Sequence, residues 1–365
     1  MRQQLTVVQL VPSLNIGGVE RGTIELAIYL KSLGHRSIVI SEGGVWQQRL
    51  DRANVEHIRL GVGRKSLFSL KHIWTLRKLF AELKADIVHA RSRLPAWLTY
   101  LAIKKMPKKP QFVTTIHGLY SVKKYSSIMS RGDAVIAVSE TASSYVQAHF
   151  QDYLKTQPQV IYRGVDRSEF PHAYQPSSEW LQQWFADYPQ IQGKKIVLMP
   201  GRLTALKGAE SLIHWLSQAD ENVHLVLTAQ PNQSAYTQRI SQLLDDGKLQ
   251  NKVSWVGLSH PIQSLYALAD VVVSVNKKPE SFGRTVMEAL CIGTPVVAYT
   301  LGGVEEIMRV ILPQGLVEAD DQQQLAEKID EFLQRPPEVN PKDYFQQHDM
   351  LQQTVDLYQK LAQST

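Results

Sequence analysis

The sequence predicts an α/β protein of two Rossmann-like, doubly wound domains. Three observations carry the reading. Apolar, β-branched runs alternate with helical stretches, the alternation lapses and restarts near residue 190, and 365 residues with 44% hydrophobic content suffice for two cores. Strands separated by helices pair in parallel and are covered on both faces, so they read as continuous apolar runs.

In the first half, LTVVQLV (5–11), SIVIS (37–41), IVHA (87–90), FVTTI (112–116) and AVIAVS (134–139) read as strands. ERGTIELAIYLKSLG, between the first two, reads as a helix, with Ile24, Ala27, Ile28 and Leu30 on one face and Gly34 as a stop. The rhythm resumes with KIVLMPG (195–201), VHLVLTA (223–229), VSWVG (253–257), VVVSV (271–275) and PVVAYT (295–300). Between the two sets, Pro171, Pro176, Pro189 and Gly193 interrupt a stretch without strand alternation. The expected organisation is a first domain at 1–170, a linker at 171–192 and a second domain at 193–340. Beyond RPPEVNP, residues 341–365 are expected to form a terminal helix that crosses back to the first domain.

No window approaches a membrane span, and MRQQLTVVQLVPSL lacks a charged region leading to a cleavage site. The single cysteine, Cys291, excludes an intrachain disulfide framework and fits a reducing compartment, so a cytoplasmic location is expected. Residues 1–175 hold 25 of the 40 Lys and Arg but 12 of the 34 Asp and Glu, leaving 15 basic and 22 acidic residues in 176–365. A basic first half and an acidic second half suggest different partners. Nucleic acid, an anionic membrane and an anionic substrate all suit the basic half.

Two motifs in the second half carry chemistry. In LMPGRLTALKG a strand ends at Gly201, and Arg202 and Lys207 follow at the carboxyl edge, where open α/β sheets bind ligands. The two cations suit a diphosphate, and alone they suit a solvated surface equally well. In KKPESFGRTVMEAL, Ser281 can cap a helix starting around 282–284, whose free N–H groups favour a phosphate, and Gly283 permits close approach. Ser281, Phe282, Gly283, Arg284 and Thr285 would then surround the phosphate. Glu288, one to two turns further in, can accept both hydroxyls of a ribose. Glu280, before the helix, can meet a sugar on the far side of the phosphate. Acid pairs near helix starts are common, so this spacing is weak without its context.

With that context, the chain resembles the retaining glycosyltransferases of the GT-B fold, specifically glycosyltransferase family 4. GRLTALKG, VSWVGLS, LADVVVSV, PESFGRTVMEALCIGTPVVA and LGGVEEI match the family's motifs in order. TAQPN (228–232) departs from the family's Gly-rich GDGP-type loop, and RGVD (163–166) resembles a motif at the end of its first domain. The resemblance implies two domains facing across a cleft, with a nucleotide-sugar donor, a UDP- or GDP-hexose, and no cofactor. It further implies that Gly17 and Gly18 face the donor diphosphate and that His117, in TIHGLY, contacts the donor sugar near the reacting carbon. No D-x-D-type metal motif lies at a strand end, so Arg202 and Lys207 are expected to stabilise the leaving diphosphate without metal. Front-face transfer is implied, in which Glu280 and His117 position the sugar and no enzymic nucleophile attacks.

The segment from HARSRLPAW through TTIHGLYSVKKYSSIMSRGDAVIAVSE resembles the branch that builds lipopolysaccharide core, including mannosyl- and glucosyltransferases. That implies an anionic glycolipid acceptor at the cytoplasmic face of the inner membrane, with Arg91, Arg93, Tyr120 and Lys123 as candidate contacts. The basic charge gathers in 59–84, read as an amphipathic basic helix including Arg64, Lys65, Lys71, Arg77, Lys78, Leu67, Phe68 and Trp74, and in 103–110. Such a face suits peripheral docking on an anionic membrane or simple packing on the sheet, and the two are compatible. A membrane-docked nucleotide-sugar-binding protein without transfer activity is the alternative. Nucleic acid is disfavoured as a partner, because the basic residues stand among bulky apolar ones outside any nucleic-acid motif.

Overall fold

The structure is a computed structural model that describes residues 4–15, 17–64, 66–231 and 234–364. Met1–Gln3, Ile16, Lys65, Asn232, Thr365 and the side chains of Leu67 and Phe68, which fall in segments read above, lie outside the described residues. The chain divides into two compact units, Met1–Tyr162 with His348–Thr365, and Arg163–Gln347.

In the first unit, seven parallel strands form one sheet: β1 Thr6–Leu10, β2 Arg36–Ser41, β3 Glu56–Arg59, β4 Ile87–Ala90, β5 Gln111–Ile116, β6 Ala134–Ala137 and β7 Gln159–Val160. Their order is β3-β2-β1-β4-β5-β6-β7. The strand order reverses between β1 and β4, which makes the carboxyl ends of that pair the topological switch point. Val8 pairs with Ile38 on one side and Val88 on the other, so the central strand is flanked by apolar strands. The last helix, Gln347–Gln363, adds Leu351, Val355, Leu357 and Tyr358 to a core with Leu5, Val7, Leu26, Leu30 and Ile87. Burying such side chains stabilises by about 1.5–3 kcal/mol each. A buried chain of hydrogen bonds pins the helix too, since His89 Nδ1 lies 2.5 Å from Tyr358 Oη and its Nε2 lies 2.7 Å from Thr115 Oγ1.

In the second unit, six parallel strands form the sheet: β8 Lys195–Met199, β9 Val223–Leu227, β10 Val253–Trp255, β11 Val271–Ser274, β12 Val296–Tyr299 and β13 Leu316–Val317. The order β10-β9-β8-β11-β12-β13 puts its switch point between β8 and β11. All ten strands read from sequence are present. β3, β7 and β13 are additional.

Residues 171–192 are folded into this second unit rather than forming a linker. Trp180, Trp184 and Tyr188 recur every fourth residue through the helix Ser178–Asp187 and its end. Trp184 is fully buried, stacked 5.1 Å from Trp180 and edge-on 5.0 Å from His260. The prolines that suggested a linker stand outside this helix. The chain passes from one unit to the other after Tyr162 and returns after Gln347, not at 170 and 340.

The span 59–84 also differs from the continuous helix expected. Arg59 ends β3, a turn carries Gly61 and Gly63, Leu67–Lys71 is a 3-10 turn, and only His72–Glu82 is α-helical. Leu76 and Phe80 pack inward, whereas Trp74 is 65% exposed. Two glycines in three residues break the helix before its apolar stripe begins.

Candidate active site

The loops leaving β8 and β11 build the candidate site. After β8, Gly201 adopts a φ of 100°, and its N–H donates to Thr228 Oγ1 over 2.7 Å, which turns the chain sharply before Arg202. Arg202 is exposed, and Lys207 is half-buried in the short turn Ala205–Lys207. Gly208 follows with φ 69° and lies against the Val275 carbonyl, so a side chain there would collide with the β11 loop. The two loops are therefore locked together, and Lys207 Nζ reaches Glu280 Oε1 at 2.6 Å.

Glu280 is fixed by its backbone. Its carbonyl accepts from Gly303 N at 2.8 Å, and it bridges to Gly302 in parallel. The helix expected after Ser281 begins at Arg284 and runs to Ile292, with Gly283 rather than Ser281 as the N-cap residue. Gly283 has φ 101°, and an added Cβ would stand 2.5 Å from Val304 Cγ2, so conformation and space both require glycine. The left-handed N-cap leaves the first-turn N–H groups without a side-chain cap. Phe282 is buried edge-on to Phe345 at 5.8 Å, and Ser281 and Thr285 are partly exposed beside the helix start.

Glu288 is nearly buried, at 7% exposure. Arg284 Nε donates to its Oε1 at 2.7 Å, and Tyr266 Oη donates to its Oε2 at 3.1 Å. Burial, then the Glu288 charge, pushes the Tyr266 hydroxyl well above its ordinary pKa, so it remains a donor. Each Glu288 oxygen retains lone-pair capacity for a further donor. Sequence reasoning missed Tyr266, and LYALAD gives no sign that its tyrosine faces the acid 22 residues later on the next helix. It also passed over Gly302 and Gly303 as site residues, although LGG was among the quoted motifs.

In the first unit, Gly17 caps the helix Gly18–Ser32, and the carboxylate of Glu20 folds back against it, leaving no room for a side chain. Gly17 is extended, so space rather than conformation demands glycine there. His117 follows β5 half-buried, and its N–H approaches Tyr120 Oη at 3.4 Å. Burial raises the pKa of Tyr120, whose carbonyl accepts from Tyr145 Oη. Arg93 stacks over Tyr120 at 5.2 Å and Tyr125 at 5.4 Å and donates to Ser126 Oγ at 3.2 Å. Lys123 is exposed. Arg91 lies at the switch point, buried, with Nη1 3.3 Å from Gln9 Oε1 and Nε without an acceptor among the described residues. Burial lowers its pKa, and Tyr358 and Glu25 oppose that shift.

Two parallel doubly wound sheets, with paired cations and an open helix N-terminus at the second switch point, define the class of GT-B glycosyltransferases. The description Glycosyltransferase Family 4 matches residues 16–169, and Glycosyl transferases group 1 matches residues 182–347. The chain belongs to glycosyltransferase family 4. It is 31% identical to the crystal structure of a glycosyltransferase from Rickettsia africae, with 99% of this chain and 100% of that one covered and a TM-score of 0.86. An uncharacterized glycosyltransferase of Methanocaldococcus jannaschii is 28% identical over 337 residues, 82% of this chain and 80% of the relative. The fold is shared with Anabaena HepE in complex with UDP-glucose, at 21% identity, 99% coverage of both chains and a TM-score of 0.76.

Proposed function

We propose that the protein is a retaining hexosyltransferase that moves a hexose from UDP or GDP to an anionic glycolipid of the lipopolysaccharide-core type, without metal, at the cytoplasmic face of the inner membrane. The Lys207–Glu280 pair carries this reading. It joins a cation suited to a diphosphate with a carboxylate suited to a sugar, 2.6 Å apart at the switch point of the second sheet.

In this reading, Arg202 and Lys207 stabilise the charge that builds on the diphosphate as the glycosidic bond breaks. The N–H groups at 283–285 hold a phosphate, and Ser281 and Phe282 shape the approach to it. Glu288, oriented by Tyr266 and Arg284, accepts the ribose hydroxyls. Glu280 and His117 orient the sugar, and Gly17 and Gly18 leave room for the diphosphate and acceptor. The acceptor hydroxyl attacks on the face the diphosphate leaves, and a phosphate oxygen takes its proton, so the configuration at the anomeric carbon is kept. Arg91, Arg93, Tyr120 and Lys123 would address the acceptor. Lys123 is exposed, Arg93 and Tyr120 are partly buried, and Arg91 is buried.

Membrane docking draws on the exposed basic face. Trp74 and Lys78, four residues apart on His72–Glu82, share an outward stripe, and Lys104, Lys105, Lys108 and Lys109 are all exposed. Among the described residues no helix is long and apolar enough to cross a membrane. The lipopolysaccharide assignment rests on the sequence resemblance of residues 89–140. A thermal-shift panel of UDP-, GDP- and ADP-hexoses in EDTA tests the donor reading. One nucleotide series should stabilise the wild type and lose most of that effect in Lys207→Ala, and no shift from any of them would count against it.

A further inference from the structure

A cavity of about 450 Å³ opens in the first unit at the carboxyl ends of β2 and β3, lined by Glu42, Arg59, Arg64, Ser69, Lys71 and His72 among others. We propose that this cavity seats an oxyanion-bearing sugar of the acceptor, through the phosphate or carboxylate that the sugar carries. The proposal rests on reading the first unit as the acceptor domain.

Charge comes first. Three cationic side chains line the cavity against one carboxylate. That carboxylate is already engaged, since Arg64 Nε lies 2.7 Å from Glu42 Oε1. Arg59 Nε donates to the Glu42 carbonyl at 3.0 Å, which anchors its guanidinium. Among the described residues, neither Arg59 Nη nitrogen nor the Lys71 ammonium has a carboxylate partner within the cavity. An anchored guanidinium with free Nη groups matches the forked geometry of a phosphate or carboxylate.

Place comes second. Arg59 ends β3 and Glu42 follows β2, so the cavity lies on the same carboxyl edge as the switch-point loop after β1. The two are physically joined. A Cβ on Gly63 would stand 2.5 Å from Pro12 Cβ, Leu14 N donates to Gly43 O at 2.8 Å, and Trp46 N donates to Leu14 O at 2.9 Å. The loop that leads to Gly17 is therefore continuous with the cavity wall. A glycan reaching that loop has a cationic seat next to it.

Size comes third. Small-molecule sites span about 300–1,000 Å³, and a single charged sugar falls within that range.

The test is calorimetry on the full chain with saturating UDP or GDP, whichever the thermal-shift panel selects, to fill any diphosphate seat in the second unit. The probes are glucose 6-phosphate, glucuronate, glucose and inorganic phosphate, each also titrated into Arg59→Gln/Lys71→Gln. One of the two anionic sugars should bind at least tenfold tighter than glucose and than inorganic phosphate, and the double variant should lose at least tenfold of that. A response to glucose 6-phosphate alone names a phosphate, and a response to glucuronate alone names a carboxylate. Equal binding of glucose, no binding of any probe, inorganic phosphate binding as tightly as the sugars, or undiminished binding by the double variant each overturns the proposal. Affinity for UDP and for GDP of the wild type and the variant is read in the same experiment. Failure of the wild type to bind either nucleotide would instead count against the transferase reading.

Discussion

Lys207 Nζ stands 2.6 Å from Glu280 Oε1, so the cation assigned to the diphosphate and the carboxylate assigned to the sugar neutralise each other before any donor arrives. Both are partly accessible, at 21% and 32%, and such pairs contribute about 0.2–1 kcal/mol. Glu280→Gln frees Lys207 for the phosphate. UDP affinity should therefore rise about two- to fivefold while hexose transfer falls sharply. Calorimetry with UDP and a turnover assay on the same preparation check the opposite signs, and weaker UDP binding would show that Glu280 helps to hold the nucleotide.

Glu288→Gln removes the charge that Tyr266 and Arg284 orient. Loss of a charge-assisted hydrogen bond costs about 1.5–3 kcal/mol. Nucleotide affinity should fall roughly 10- to 150-fold by that energy, with a smaller effect on Tm because the amide still accepts from one neighbour. An unchanged nucleotide Kd would remove the ribose role.

His224 gives the second unit a pH dependence that is separate from the site. Burial, then Lys194, lowers its pKa from 6.5 to about 4, and its Nε2 lies 2.9 Å from Ser254 Oγ. Between about 4 and 6.5 the unfolded chain binds the proton and the folded chain does not, so stability falls as the pH drops through that window. The slope is at most about 1.4 kcal/mol per pH unit. His224→Gln should flatten the unfolding free energy against pH there, and an identical slope in the variant would assign the acid sensitivity elsewhere.

Neutralising Lys104, Lys105, Lys108 and Lys109 together should release the protein from anionic liposomes at low salt. Each basic residue near such a surface is worth about 1 kcal/mol. Flotation at low and high salt, with Trp74→Ser alongside, separates charge from insertion. Salt-independent flotation of the wild type, or none, would leave the basic face to the acceptor alone.

Much of the fold was legible because the central strands are apolar on both faces. VVQL, IVI and VVVS are short, β-branched runs set between helical stretches, which reads as buried parallel strands. β3 was not, since EHIR at the sheet edge is half-exposed and carries charge at both ends. β7 and β13 are two residues each, too short for any periodic signal. The apolar stripe of Trp180, Trp184 and Tyr188 was hidden by flanking prolines, although its fourfold spacing is a helix signature. At the site, PESFGRTVMEAL disclosed the acids and the helix. The cap residue was misread because Ser281 satisfies the usual preference while Gly302, Gly303 and Val304 crowd the turn from a distant segment. The Tyr266–Glu288 contact joins two helices, and the 59–72 cavity joins turns at the ends of two strands, so both depend on contacts that no local pattern encodes.

The central claim is retention of configuration without metal, by donor groups in the second unit. The most direct measurement is proton NMR of the sugar released or transferred from the α-linked UDP- or GDP-hexose selected by thermal shift, in excess EDTA, with Lys207→Ala as control. The α-anomer should appear first from the wild type and scarcely at all from Lys207→Ala. A β-anomer appearing first, or turnover that stops in EDTA and returns with a divalent cation, would contradict it.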